Sequence, residues 1–88
     1  MAAEIDQMTQ YDWFSHARIH ETNGDDDKAL KAYEEALKID PEFAKAWFYK
    51  AKLHYKHGEK EQAKKCVRRT LELEPDWEKY VKRYMPDL

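Results

Sequence analysis

QYDWFSHARIHETNGDDDKALKAYEEALKIDPEF, residues 10–43, lies without a gap over AKAWFYKAKLHYKHGEKEQAKKCVRRTLELEPDW, residues 44–77. Nine of the 34 aligned positions are identical. Trp13 meets Trp47, Phe14 meets Phe48, Ala17 meets Ala51, His20 meets His54 and Gly24 meets Gly58. Ala29 then meets Ala63, Lys31 meets Lys65, Leu37 meets Leu71 and Pro41 meets Pro75. A fixed period of this length marks a supersecondary unit that buries its apolar face against its neighbour. The pattern predicts an architecture of repeats, and with it binding rather than catalysis.

Local punctuation divides each copy into two helices. Trp13, Phe14, Ala17 and Ile19 recur at helical spacing from Gln10, and Asn23-Gly24 gives a C-terminal cap signal. Asp25, Asp26 and Asp27 open a second helix, where acids accept hydrogen bonds from free backbone N–H groups and complement the helix dipole. Pro41 disfavours helical geometry in Asp40 and stops that helix near Ile39. The second copy repeats the plan: a helix over about 44–57, a turn at Gly58, and a helix over about 60–73 before Glu74-Pro75. A fifth helix is expected over 76–85, with Tyr80, Val81, Tyr84 and Met85 as its apolar stripe and Pro86 as its stop. Within residues 1–9, Ala2–Asp6 weakly echoes Ala36–Asp40; this stretch is either a worn preceding repeat or a flexible N-terminus.

Composition agrees with an all-α chain. The 88 residues are 39% charged, 42% hydrophobic and 14% aromatic, with two glycines and three prolines, which suits one folded, helix-rich domain rather than a disordered segment. A single cysteine forms no internal disulfide, and no signal peptide or membrane-spanning run is legible, so a cytoplasmic setting is expected. The net charge of −2 conceals a dipole along the chain. Residues 1–44 carry 11 acids and 4 bases (−7), and residues 45–88 carry 7 acids and 12 bases (+5). Such a field steers partners without dictating fold.

The repeated residues resemble the tetratricopeptide repeat, a 34-residue helix–turn–helix with the pattern W-x2-L-G-x2-Y…A-x3-F…P. Trp13, Ala17, His20, Ala29, Tyr33 and Pro41 fall on that pattern, as do Trp47, Ala51, His54, Ala63, Val67 and Pro75. Departures are concentrated at His16 and Lys50, where leucine is usual, and at His20 and His54, where tyrosine is usual. Ala17 and Ala51 replace glycine, a small-for-small exchange that keeps the helices close. The resemblance implies an all-α tandem helical solenoid with repeat 1 over 10–43, repeat 2 over 44–77 and a C-terminal capping helix over 76–85. It also implies no cofactor and no enzymatic activity.

The resemblance further implies that the first helix of each repeat and the last helix present a concave face to a partner protein or peptide. Carried over residue by residue, that face comprises Tyr11, Phe14 and Arg18, then Lys45, Phe48, Tyr49, Lys52 and Tyr55, then Lys79, Lys82 and Arg83. Aromatic groups supply contact area, and basic groups hold carboxylates through charge-assisted hydrogen bonds. An acidic or carboxylate-ended segment is the expected ligand, against the plainer reading that the rings are packed and the bases solvate a face. One subfamily clamps the acidic C-terminal tails of heat-shock chaperones with five residues. Lys79 and Arg83 match it, while Phe14, Arg18 and Tyr49 do not.

Other chemistry is thinner. His16 and His20 are one turn apart and His54 and His57 three apart, a spacing that holds a metal if a third ligand approaches, as His20 and His54 would in a stack. No HExxH motif is present, however, and histidines replacing packing tyrosines explain the pattern more simply. Asp25–Asp27 lacks the ligand spacing of a calcium loop. Cys66, read as lying on a polar face among Lys64, Lys65, Arg68 and Arg69, is taken as an ordinary thiol. With Lys60 those cations form a basic stripe. Nucleic acid fits it poorly as a partner, because the chain as a whole is slightly acidic. The acidic first half of a second copy would complement it, giving weak head-to-tail self-association as the alternative function.

Overall fold

The computed structural model describes residues 7–88, which form helices and turns; the Ala2–Asp6 echo lies outside the described residues. Thr9 starts the first helix. Its hydroxyl accepts from the Asp12 N–H at 3.2 Å, and the Asp12 carboxylate accepts from the Thr9 N–H at 2.9 Å, a reciprocal capping box. Helices α1 (Gln10–Thr22), α2 (Asp26–Ile39), α3 (Ala44–Lys56), α4 (Lys60–Leu73) and α5 (Glu78–Tyr84) follow in order. The chain divides between Phe43 and Ala44 into two compact units, at the seam between the sequence copies. In the first α1 packs on α2, and in the second α3 packs on α4.

The two intra-repeat turns are the same motif. Gly24 and Gly58 sit at φ +82° and +76°, a left-handed conformation that residues with a Cβ rarely adopt. The Gly24 N–H bonds to the Glu21 carbonyl and the Asp25 N–H to the His20 carbonyl; Gly58 does the same to Tyr55, and Glu59 to His54. This is the Schellman pairing, and it satisfies carbonyls the helix end leaves open. In the second copy the residues that flank such a motif also meet through their side chains. His54 Nδ1 lies 2.9 Å from Glu59 Oε1, a polar contact where an apolar one is usual.

The acids before α2 act differently from expectation. Asp25 occupies the N-cap position, but its side chain makes no capping hydrogen bond, so the run complements the dipole through Asp26 and Asp27 in the first turn. Asp40 and Glu74 both take φ −135°, as a following proline demands.

Small residues set the packing distance within each unit. Ala17 and Ala29 in the first, and Ala51 and Ala63 in the second, are wholly buried. Tyr33 fills the first core; burial raises its hydroxyl pKa, and the hydroxyl donates to Glu21 Oε1 at 2.7 Å. In the second unit the cluster is Phe48, Ala51, Cys66, Val67, Val81 and Met85. Cys66 is thus a core residue, which corrects its sequence assignment to a polar face. Ala63, Cys66, Val67 and Thr70 are all buried, an i, i+3, i+4, i+7 stripe, and the neighbouring cations occupy the other side of α4.

The C-terminal segment also differs from one helix over 76–85. Pro75–Trp77 form a single 3-10 turn before α5 begins at Glu78. Its expected apolar stripe splits: Val81 and Met85 enter the core, while Tyr80 and Tyr84 remain 39% and 47% exposed.

Asp87 ties this segment down. Tyr55 donates its hydroxyl to one carboxylate oxygen of Asp87, and Lys60 Nζ lies 2.6 Å from the other. The hydrogen bond from Lys60, then that from Tyr55, lowers the Asp87 pKa from 3.8 to about 2. A depressed carboxylate contributes stability that is complete above its unfolded pKa and fades as pH falls through the folded one. Urea denaturation should therefore show a stability gap between the natural chain and Asp87→Asn that is constant above pH 3.8 and closes towards pH 2. A gap unchanged at pH 2 would remove the ionic role.

Candidate functional site

Within the second unit, α3 and the C-terminal segment enclose an open pocket of about 310 Å³. Helical periodicity explains the α3 wall: Lys45, Phe48, Tyr49 and Lys52 are separated by steps of three, one and three residues and share one face. Trp77, Tyr80 and Tyr84, separated by steps of three and four residues, supply the opposite wall.

Phe48 is the hub of the floor. Its ring meets Tyr49 at 5.9 Å and 84°, Trp77 at 6.1 Å and 75°, and Tyr84 at 6.2 Å and 73°. These are edge-to-face contacts, in which a ring's positive rim meets a negative face. Trp77 and Tyr80 continue the cluster at 6.5 Å. The Lys52 ammonium stands 4.3 Å from the Tyr84 centroid, 4.9 Å from Tyr49 and 5.7 Å from Phe48. Such contacts orient a cation without cancelling its charge. The pocket therefore offers an apolar aromatic floor with a lysine at each end of its α3 wall, chemistry suited to a large side chain beside an anion.

The other expected surface residues lie outside this pocket. Tyr11, Phe14 and Arg18 belong to the first unit. There Phe43 receives Phe14 at 5.4 Å and Tyr11 at 5.4 Å, and Arg18 Nη1 lies 3.1 Å from Glu21 Oε1. Tyr55 turns its hydroxyl to Asp87. On α5, Lys79 Nζ sits 5.2 Å from the Tyr80 ring, Lys82 pairs with Glu78 at 3.4 Å, and Arg83 is exposed.

Sequence reasoning did not assign Trp77, Tyr80 and Tyr84 to the surface. The signal was present in the register, which places Trp77 over Phe43: in both units the residue two past the closing proline packs on the repeat's phenylalanine.

The α4 stripe is partly spent internally. Lys60 pairs with Asp87, Lys64 with Glu61 at 3.6 Å and Arg69 with Glu72 at 3.4 Å. Among the described residues no group of three or more His, Cys, Asp or Glu is gathered as a metal site, and no helix is long and apolar enough to cross a membrane.

Comparison with known proteins gives one family. The tetratricopeptide repeat model matches residues 22–83, from the end of α1 through α5. The chain belongs to the tetratricopeptide-repeat family, whose repeats serve as protein–protein interaction modules. No curated protein matches the chain.

Proposed function

We propose that the chain is a non-enzymatic module that holds an acidic segment of a partner protein on the aromatic and basic surface of its second unit. The observation that carries this reading is the pocket itself: five aromatic rings within one concavity, with Lys45 and Lys52 on the same wall. A preformed floor lowers the ordering cost of binding, and the excess of bases over acids after residue 44 attracts an anionic segment. Lys79, Lys82 and Arg83 add to that field; Tyr11, Phe14 and Arg18, expected on the same face, belong to the first unit and take no part in this reading. The single cysteine, a buried thiol outside any disulfide, accords with a cytoplasmic setting. Self-association through opposite charge has less support, because three of the five cations on α4 already face acids of their own unit.

The test is a titration of the isotope-labelled chain with a peptide of alternating Leu and Glu, followed by amide chemical shifts. Shifts should concentrate at residues 45–55 and 77–84. Tyr84→Ala should weaken the peptide about fivefold, as expected for loss of one aromatic contact, without loss of helicity. Shifts spread evenly over both units, or none, would overturn the reading.

A further inference from the structure

The 34-residue register aligns Arg18 with Lys52, Glu21 with Tyr55, and Tyr33 with Val67. In the first unit these three positions form a closed network. Arg18 Nη1 lies 3.1 Å from Glu21 Oε1, and Tyr33 donates its hydroxyl to the same oxygen at 2.7 Å. A carboxylate of the same repeat, fixed by a wholly buried tyrosine, thus neutralises the cation.

The second repeat keeps the cation and loses the other two members. Tyr55 replaces the acid and turns towards Asp87, and Val67 replaces the tyrosine. The Lys52 ammonium faces rings instead, and among the described residues no carboxylate stands within ion-pair distance of it. Those rings are a weaker counterpart than a carboxylate, so the ammonium retains its capacity to bond an anion. The other charged group lining the pocket is Lys45, seven residues earlier on α3 and so about 10 Å along the axis, and no acid is among the lining residues. At about 310 Å³ the pocket lies at the small end of the range for ligand sites, which suits a side chain or two rather than a folded element.

We infer that Lys52 is a carboxylate receptor confined to the second repeat, taking an Asp or Glu side chain of the partner while an adjacent large apolar residue lies on Trp77 and Tyr80. The inference rests on the reading that this pocket binds an acidic segment. It adds which residue selects the charge, and it states that the first repeat, with its cation already paired, does not contribute to that selection.

Two peptides that differ only by Glu or Gln next to one Leu, in a Gly-Ser background, separate the two claims. Titrated at low salt into the intact 88-residue chain, the Glu peptide should bind about fivefold more tightly, in line with one partly shielded charge pair. Lys52→Gln should bring the two peptides within about twofold of each other, Lys52→Arg should restore most of the preference, and Arg18→Gln should leave it unchanged. Circular dichroism checks that each variant keeps its helicity. Equal affinities in the natural chain, or a preference that survives Lys52→Gln, overturn the receptor while leaving an aromatic binding pocket in place. Failure of both peptides to shift the pocket amides overturns the binding reading itself.

Discussion

Phe48→Ala is expected to cost the second unit about 3–5 kcal/mol, the range for truncating a buried aromatic ring. Phe48 is 8% exposed, belongs to the core cluster with Ala51, Val67 and Met85, and is the ring on which Tyr49, Trp77 and Tyr84 all converge. Alanine would leave a cavity beneath all three. A chain of this size has about 4–13 kcal/mol of stability in total, so the loss is large enough to leave the unit partly unfolded at ambient temperature. The matching substitution in the first copy, Phe14→Ala, should cost less, because Phe14 is only half-buried. Urea denaturation followed by far-ultraviolet circular dichroism measures both. A cost below about 1 kcal/mol for Phe48→Ala would mean that the ring is a surface contact rather than part of the core. The same reasoning excludes this substitution as a probe of binding: lost affinity would report a lost fold, and Tyr84, nearly half exposed, is the cleaner choice.

The repeat made the architecture legible before any coordinates. Identical residues at Ala17/Ala51, Ala29/Ala63, Gly24/Gly58 and Pro41/Pro75 are those that pack or turn the chain, and each does in the structure what its chemistry required. Cys66 was misread because its immediate neighbours are charged, although spacing by three and four residues, not adjacency, decides which side of a helix is buried. The Asp25 carboxylate shows a different limit: residue type marks the start of a helix but not which of two capping effects operates. The pocket was half legible. Its α3 wall follows from the repeat, whereas its other wall comes from a segment that opens with a 3-10 turn at Pro75–Trp77 and continues as α5, with Val81 and Met85 inward and Tyr80 and Tyr84 at the surface. Four apolar residues at adjacent helical positions do not reveal how they will be divided between core and surface.

That division makes Met85→Ala the most informative change in the C-terminal segment. Met85 is wholly buried, and truncating such a residue costs about 2–5 kcal/mol. The seven residues of α5 are too few to hold a helix without docking, so the cost should appear as local release rather than global unfolding. Trp77, Tyr80 and Tyr84 belong to the same segment, and Lys52 would lose its nearest ring. Hydrogen exchange should therefore show protection collapsing at the amide of position 85, which in the natural chain bonds to the Val81 carbonyl at 2.7 Å, while amides of α1 and α2 stay protected. Binding of the Leu–Glu peptide should fall in parallel, although no residue on α3 has changed. If exchange rises equally in both units, α5 is integral to a single cooperative fold; if neither exchange nor binding changes, Met85 does not anchor the aromatic wall.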